Sequence, residues 1–367
     1  MFITTNSYKI SKFINQHIKI NLKINSKRYE RIKTYLNEKI NDTDIKYTCN
    51  IAIPEQFESN IFIDDIIKQT LRDKKFCQYK YISPILNLEL YAYQDKLDTE
   101  VIIELIKLIY KFVYATTQFY NYKRTVNLYV YLTPNRKTTE GMINNTFDAL
   151  QINSGSTLFG DYGEQIELWR EEELLKVLVH ELIHYMNIDF KLGHFDMVKM
   201  LKNIFNVNGT IKPYEGYTEV EAIILHSFIV AYMNNVPPND ILTTELNFSL
   251  FQVAKILRLS DIKEFKDIYK QTQTTHTIKQ KTSVFSYFLV KTAFLLHANE
   301  LILYDENHED KHDLKELYKI IMTGFENPLY NDAVNYFINL SVEDPYLNNT
   351  MRMSAIELSY SSTCLTC

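Results

Sequence analysis

Four cysteines in 367 residues, Cys49, Cys77, Cys364 and Cys367, are too few and too scattered for the disulfide framework of a secreted protein. A reducing compartment fits better. The terminal Cys364-Leu365-Thr366-Cys367 has the spacing of half a zinc knuckle or a redox pair, but no second pair exists to complete a four-sulfur site, so a frayed tail is expected. Long apolar runs are missing too. The most apolar stretches, Val220 to Met233 and Val284 to Leu296, are interrupted by Glu221, His226 and Lys291 and fall short of the roughly 20 residues that span a bilayer. No membrane association is expected. Met1 to Asn25 scatters Lys and Asn among its apolar residues and has no continuous apolar segment like a signal peptide, so a soluble, intracellular protein is expected. Positive charge is not in surplus: the net charge of −5 and pI near 6.0 give no global basic field, and nucleic acid is not an expected partner. Glycine and proline number only 8 each, while Asn, Ile, Lys and Tyr are abundant as in an AT-rich genome.

What is present is enough apolar material, 46% of residues, for a real core. No repeat or low-complexity linker divides the chain, so boundaries follow changes of pattern. Residues 1–95 mix short apolar runs with polar turns such as Asn41-Asp42-Thr43-Asp44 and carry no motif for chemistry. Residues 96–345 form the patterned body, and 346–367 a tail. From Asp98 or Thr99, a capped helix carries Val101, Ile102, Leu105, Ile106, Ile109, Phe112 and Val113 at helical spacing. Val126 to Leu132 and Gln165 to Trp169 read as strands, with Gln151 to Leu158 as a third. Glu171 to Phe190 opens with three acidic residues and continues as a buried apolar helix. A second apolar helix is expected from about Thr218 to Met233, ending before Val236-Pro237-Pro238. Beyond it the chain reads as mostly helical, near 250–258, 283–304, 313–323 and 330–340.

Chemistry concentrates in His180-Glu181-Leu182-Ile183-His184. Residues four apart share a helix face, so His180 and His184 can offer two imidazole nitrogens to one ion. Glu181, about 100° round the helix, can address a water on that ion as general base. These polar residues interrupt Leu174, Leu175, Val177, Leu178, Val179, Leu182 and Ile183, and burying them without partners would cost several kcal/mol. One metal ion supplies the missing partner. A catalytic zinc takes a third protein ligand and keeps one open position. Phe190 stands where a third His would mark the metzincin pattern, and Asp196 in Gly193-His194-Phe195-Asp196 lacks the longer aspartate signature. Glu215, in Glu215-Gly216-Tyr217-Thr218-Glu219-Val220-Glu221-Ala222, is the better candidate. Glu219 lies four residues on, so if both are helical one can ligate while the other accepts a hydrogen bond from a ligand imidazole. His226, on the same stripe, reads as a core histidine.

The strings His180-Glu181-Leu182-Ile183-His184-Tyr185 and Glu215-Gly216-Tyr217-Thr218-Glu219 resemble those of the gluzincin metallopeptidases, whose third zinc ligand is a glutamate on a later helix. Collagenase-type gluzincins are similar in the Tyr after the second His and in the long gap. Asn153-Ser154-Gly155, Glu167-Leu168-Trp169-Arg170-Glu171-Glu172 and Phe285-Ser286-Tyr287-Phe288 look like segments of metallopeptidase-like proteins encoded by large DNA viruses. The likeness spans about residues 125–300. It departs from the aminopeptidase branch, because Gly141-Met142-Ile143-Asn144-Asn145 has no Glu for a substrate amine.

This resemblance implies an α+β, zincin-like fold, with a small twisted sheet, an active-site helix beneath it and a mostly helical C-terminal subdomain. It implies one zinc ion on His180, His184 and Glu215, with Glu219 orienting a ligand and Glu181 as base in the endopeptidase cleavage of a polypeptide. Asn153, Ser154 and Gly155 are expected to pair with substrate backbone, and Tyr287 to stabilise the oxyanion, with His297 as the alternative donor. If the chain is viral, the host cytoplasm or the virion is its place. Two rivals share the same residues: a zinc hydrolase of another bond, and a non-catalytic interaction protein that would have no need of Glu181.

Overall fold

The computed structural model describes residues 3–37, 45–52, 54, 56–93, 98–160, 163–189, 196–272, 275–307 and 313–360. The Asn41–Asp44 turn, Phe190, His194 and the Cys364/Cys367 pair lie outside these residues. The fold is α+β, as the alternating and helical periodicities indicate.

Strands β1 (Ile45–Ala52), β2 (Phe76–Ile82), β3 (Leu86–Tyr93), β4 (Val126–Tyr131), β6 (Gly155–Gly160) and β7 (Gly163–Leu168) form a six-stranded sheet in the order β1-β2-β3-β4-β7-β6. The first three make an antiparallel meander. Helix α1 is Thr5–His17, and α2 (Thr99–Phe119), with Asp98 as its N-cap, crosses over to let β4 run parallel to β3. β7 is parallel to β4, and β6 turns back antiparallel to β7, which leaves β6 at one edge. The strands expected at 126–132 and 165–169 are β4 and β7. The expected third strand begins later, after a helical turn at Ala149–Ile152 capped by Asp148. Short strands β5 (Thr146–Phe147), β8 (Val207–Asn208) and β9 (Ile278–Gln280) make a second sheet in the order β5-β9-β8.

Under the main sheet lies α3 (Leu174–Tyr185), followed by α4 (Met197–Ile204), α5 (Pro213–Asn234) and α6 (Pro238–Leu259). A π-helical turn, Phe285–Val290, leads into α7 (Lys291–Leu296). From Glu215 to Ala231 every residue of α5 is buried, so this helix is enclosed on all sides and forms the spine on which α3, α6 and the π-turn pack. It starts five residues earlier than its apolar stretch suggests, because Pro213 is well suited to the first helical turn. Pro238 does the same for α6, so the proline pair separates two helices with almost no loop. None of the helices among the described residues is long and apolar enough to cross a membrane.

The region set apart at 1–95 supplies three strands of the main sheet, and α1 packs on α6. The backbone N–H groups of Ile20, Leu22 and Ile24 donate to Asn247 Oδ1, Thr243 Oγ1 and Asn239 Oδ1, a four-residue ladder along α6. Cys77 on β2 is disulfide-bonded, which its sequence context did not suggest. The first part of the expected tail is not frayed. Met351, Met353, Ala355 and Ile356 are buried, and Ile3 bridges Leu358.

Candidate metal centre

Helix α3 packs so tightly under β6 and β7 that a Cβ on Gly155 would lie 2.8 Å from Val177 Cγ1 and 2.9 Å from Glu181 Cγ. Only glycine allows the edge strand this approach. Two residues along, Thr157 Oγ1 is 3.0 Å from Glu181 Oε2 and 2.9 Å from the Glu181 carbonyl, so the carboxylate is fixed to the strand. Burial pushes the Glu181 pKa up, and the attraction of His180 and His184 only partly offsets this.

On the next face of α3 the imidazoles of His180 and His184 turn towards α5. His180 Nδ1 is 2.8 Å from Glu219 Oε2, and His184 Nδ1 is 2.8 Å from Asp189 Oδ2. With each Nδ1–H donating to a carboxylate, the neutral imidazoles present lone pairs at both Nε2 atoms, which lie only 3.0 Å apart. Glu215 Oε2 completes the group, 3.6 Å from His180 Nε2 and 3.4 Å from His184 Nε2. Three acceptors aimed at one point repel unless a cation stands among them. A tetrahedral ion with bonds of about 2.0–2.1 Å requires donors about 3.3 Å apart, close to the spacing found. Among the described residues this is the group of His, Cys, Asp and Glu side chains that could hold a metal ion.

The charge balance points the same way. Burial would drive both imidazoles neutral, but Glu215 and Glu219 raise His180, and Asp189 and Glu215 raise His184 well above its ordinary value. Burial would raise Glu215, yet the two imidazoles outweigh it and hold the carboxyl far below its usual range. The site therefore favours positive charge at its centre.

Glu219 sits one turn deeper on α5 than Glu215. Its second oxygen accepts from Lys176 Nζ at 2.6 Å, forming a Lys176–Glu219–His180 chain. Gly216 allows α5 to meet the π-turn closely: an added Cβ would lie 2.7 Å from Val290 Cγ1 and 2.9 Å from the Ser286 carbonyl. This contact brings Tyr287 to the site, where its hydroxyl donates to Glu215 Oε2 at 3.1 Å. Burial and the nearby Glu215 raise the Tyr287 pKa well above its ordinary value, so it remains a donor.

These groups floor a cleft of about 470 Å³. Asn153 and Gly155 line it; Ser154 is buried and does not. Ser156, Thr157 and Phe159 continue the wall along β6. Asp196 is occupied as the N-cap of α4, accepting from Lys199 N at 3.1 Å. His226 is buried against Phe112, and His297 contacts Asn327 and Glu300. Sequence reasoning missed Asp189, Lys176 and Thr157. Lys176 had a signal, a lysine four residues before His180 in an apolar run.

No family model matches the chain, and no solved structure matches it significantly. It is similar to an uncharacterized protein of Acanthamoeba polyphaga mimivirus, 26% identical over 147 residues. The match covers 38% of this chain and 38% of that protein's length.

Proposed function

We propose that the protein is a zinc-dependent peptidase of gluzincin type that cleaves polypeptides internally. The observation that carries this reading is the convergence of His180 Nε2, His184 Nε2 and Glu215 Oε2 within 4.8 Å of one another, beside Glu181, at the floor of an open cleft. Two imidazoles and one carboxylate are a zinc donor set, and a bound zinc would supply a Lewis acid that brings the pKa of water towards neutrality.

The protein's own groups divide the remaining work. Glu181, with its raised pKa, accepts a proton from the attacking water and returns it to the leaving amine. Tyr287 turns its O–H from Glu215 to the oxygen that gains charge. Asp189 and Glu219 hold both imidazoles with Nε2 facing inward. The outer edge of β6, exposed along the cleft, offers backbone groups to an extended peptide, with Asn153 at its near end.

Chelator-sensitive cleavage of mixed-sequence peptides tests the proposal, with Glu181→Gln as control. Zinc should stay bound in the variant while turnover falls about 10²–10⁴-fold. Undiminished hydrolysis by Glu181→Gln, or hydrolysis indifferent to chelator, would refute it.

A further inference from the structure

Three bulky apolar side chains line the cleft yet remain in solvent: Ile61 is 84% exposed, Phe62 41% and Phe159 47%. The first two belong to the region that carries no sequence motif. Their loop is firmly built. Phe57 and Ile63 anchor it in a small core with Tyr131 and Trp169. Between them, buried Asn60 donates through Nδ2 to Ser156 Oγ at 2.8 Å and to Glu167 Oε2 at 2.9 Å, and its Oδ1 accepts from Phe62 N at 2.9 Å. Ser156 and Glu167 are a cross-strand pair on β6 and β7, so Asn60 clamps the loop to the sheet edge that borders the cleft. Folding gains by burying such side chains, and here the buried hydrogen bonds of Asn60 hold Ile61 and Phe62 out.

Resting on the peptidase reading, we propose that Ile61 and Phe62 form a specificity wall for a bulky apolar side chain of an extended polypeptide, on the face of β6 opposite Glu181. Gly155 and Thr157 both approach Glu181, which places the reacting carbonyl beside this part of β6. Phe159 is the next residue on the same face, about 7 Å further along. Ser156, which Asn60 holds, points to the opposite face of β6, so a peptide paired with this edge turns alternate side chains to Phe159 and to the clamped loop.

The test measures binding, so it is read separately from hydrolysis. Zinc-loaded Glu181→Gln is titrated with fluorescent decapeptides that carry Phe or Ser at each position in turn. At one position Phe should bind about tenfold or more tighter than Ser. In the triple variant that adds Ile61→Ser and Phe62→Ser, the two peptides should bind within about threefold of each other, with little change in Tm because both side chains are exposed. Peptides that fail to bind, that show no discriminating position, or whose discrimination survives in the triple variant overturn the proposal. So does a patch that serves only self-association, seen as a concentration-dependent mass lost in the triple variant with peptide binding unchanged. Discrimination without cleavage by the wild type would leave the wall standing and remove the hydrolase reading; cleavage without discrimination would do the reverse.

Discussion

Behind α3 and in front of it lie two clusters of buried charge, joined by Lys176 and built on opposite terms. Behind, Lys137 Nζ meets Glu173 Oε2 at 2.9 Å, and Lys291 donates to Ser249 Oγ and the Met353 carbonyl. Glu245 accepts from Ala355 N, Ile356 N and Ser354 Oγ, and Glu173 Oε1 from Met353 N and Ser354 N. There, these donors face acceptors, and the segment 353–356 is strapped in place. In front, His180, His184 and Glu215 turn acceptors on one another. Burial alone does not separate structural charge from functional charge; the match of donor to acceptor does.

The largest effect expected from breaking this contrast is on stability. Glu173→Ala strands buried Lys137 and should cost about 3–5 kcal/mol in denaturant unfolding, whereas Glu215→Ala in the metal-free protein leaves two imidazoles that burial drives neutral and should cost less. Equal losses would erase the distinction. The same cluster sets an acid limit. Burial would raise Glu173, but Lys137, Lys176 and Arg352 outweigh it and bring its pKa down to about 2. A lowered carboxyl stabilises the fold above its unfolded value, near 4.5, and that contribution, on the order of 3 kcal/mol, is lost as pH falls from about 4.5 to about 2. Unfolding free energy flat across that window would contradict the assignment.

Next comes Tyr287→Phe, which removes the donor facing the cleft and keeps the ring. It should lower kcat about 100-fold and leave KM nearly unchanged. An intact kcat would return Tyr287 to the packing of the π-turn. The smallest effect sits at the join of the two clusters. Lys176→Met leaves Glu219 with His180 alone, and zinc affinity in a competition titration should fall about 10–100-fold with the fold retained. Unchanged affinity would place Lys176 wholly in the structural cluster.

Legibility in the sequence followed distance along the chain. His180, Glu181 and His184 are set by helical spacing within one turn and a half, and Glu215 with Glu219 by a second such spacing. Asp189 reaches His184 only because the chain reverses at Asn187, whose φ of 55° is left-handed. The acids at Glu171–Glu173 suggested a charged helix start, yet Glu173 has φ 60° and is buried among lysines from β4's following loop and α3. Among the strands of residues 45–93, β2 and β3 pair across a short turn, while the pairings of β1 with β2 and of β3 with β4 are long-range. The place of β3 beside β4 depends on the α2 crossover, and the Asn60 clamp joins residues about a hundred positions apart. The segment after 346 read as tail because its burial depends on Glu173 and Glu245, far upstream.

Zinc titration of the metal-free protein tests the central claim most directly, with wild type, Glu215→Ala, Glu219→Ala and Asp196→Ala compared in one buffer. One ion per wild-type chain is predicted, with tight binding largely abolished in Glu215→Ala, weakened about 10–100-fold in Glu219→Ala and unchanged in Asp196→Ala. No stoichiometric binding by the wild type, or near wild-type affinity in Glu215→Ala, would contradict a centre built on His180, His184 and Glu215.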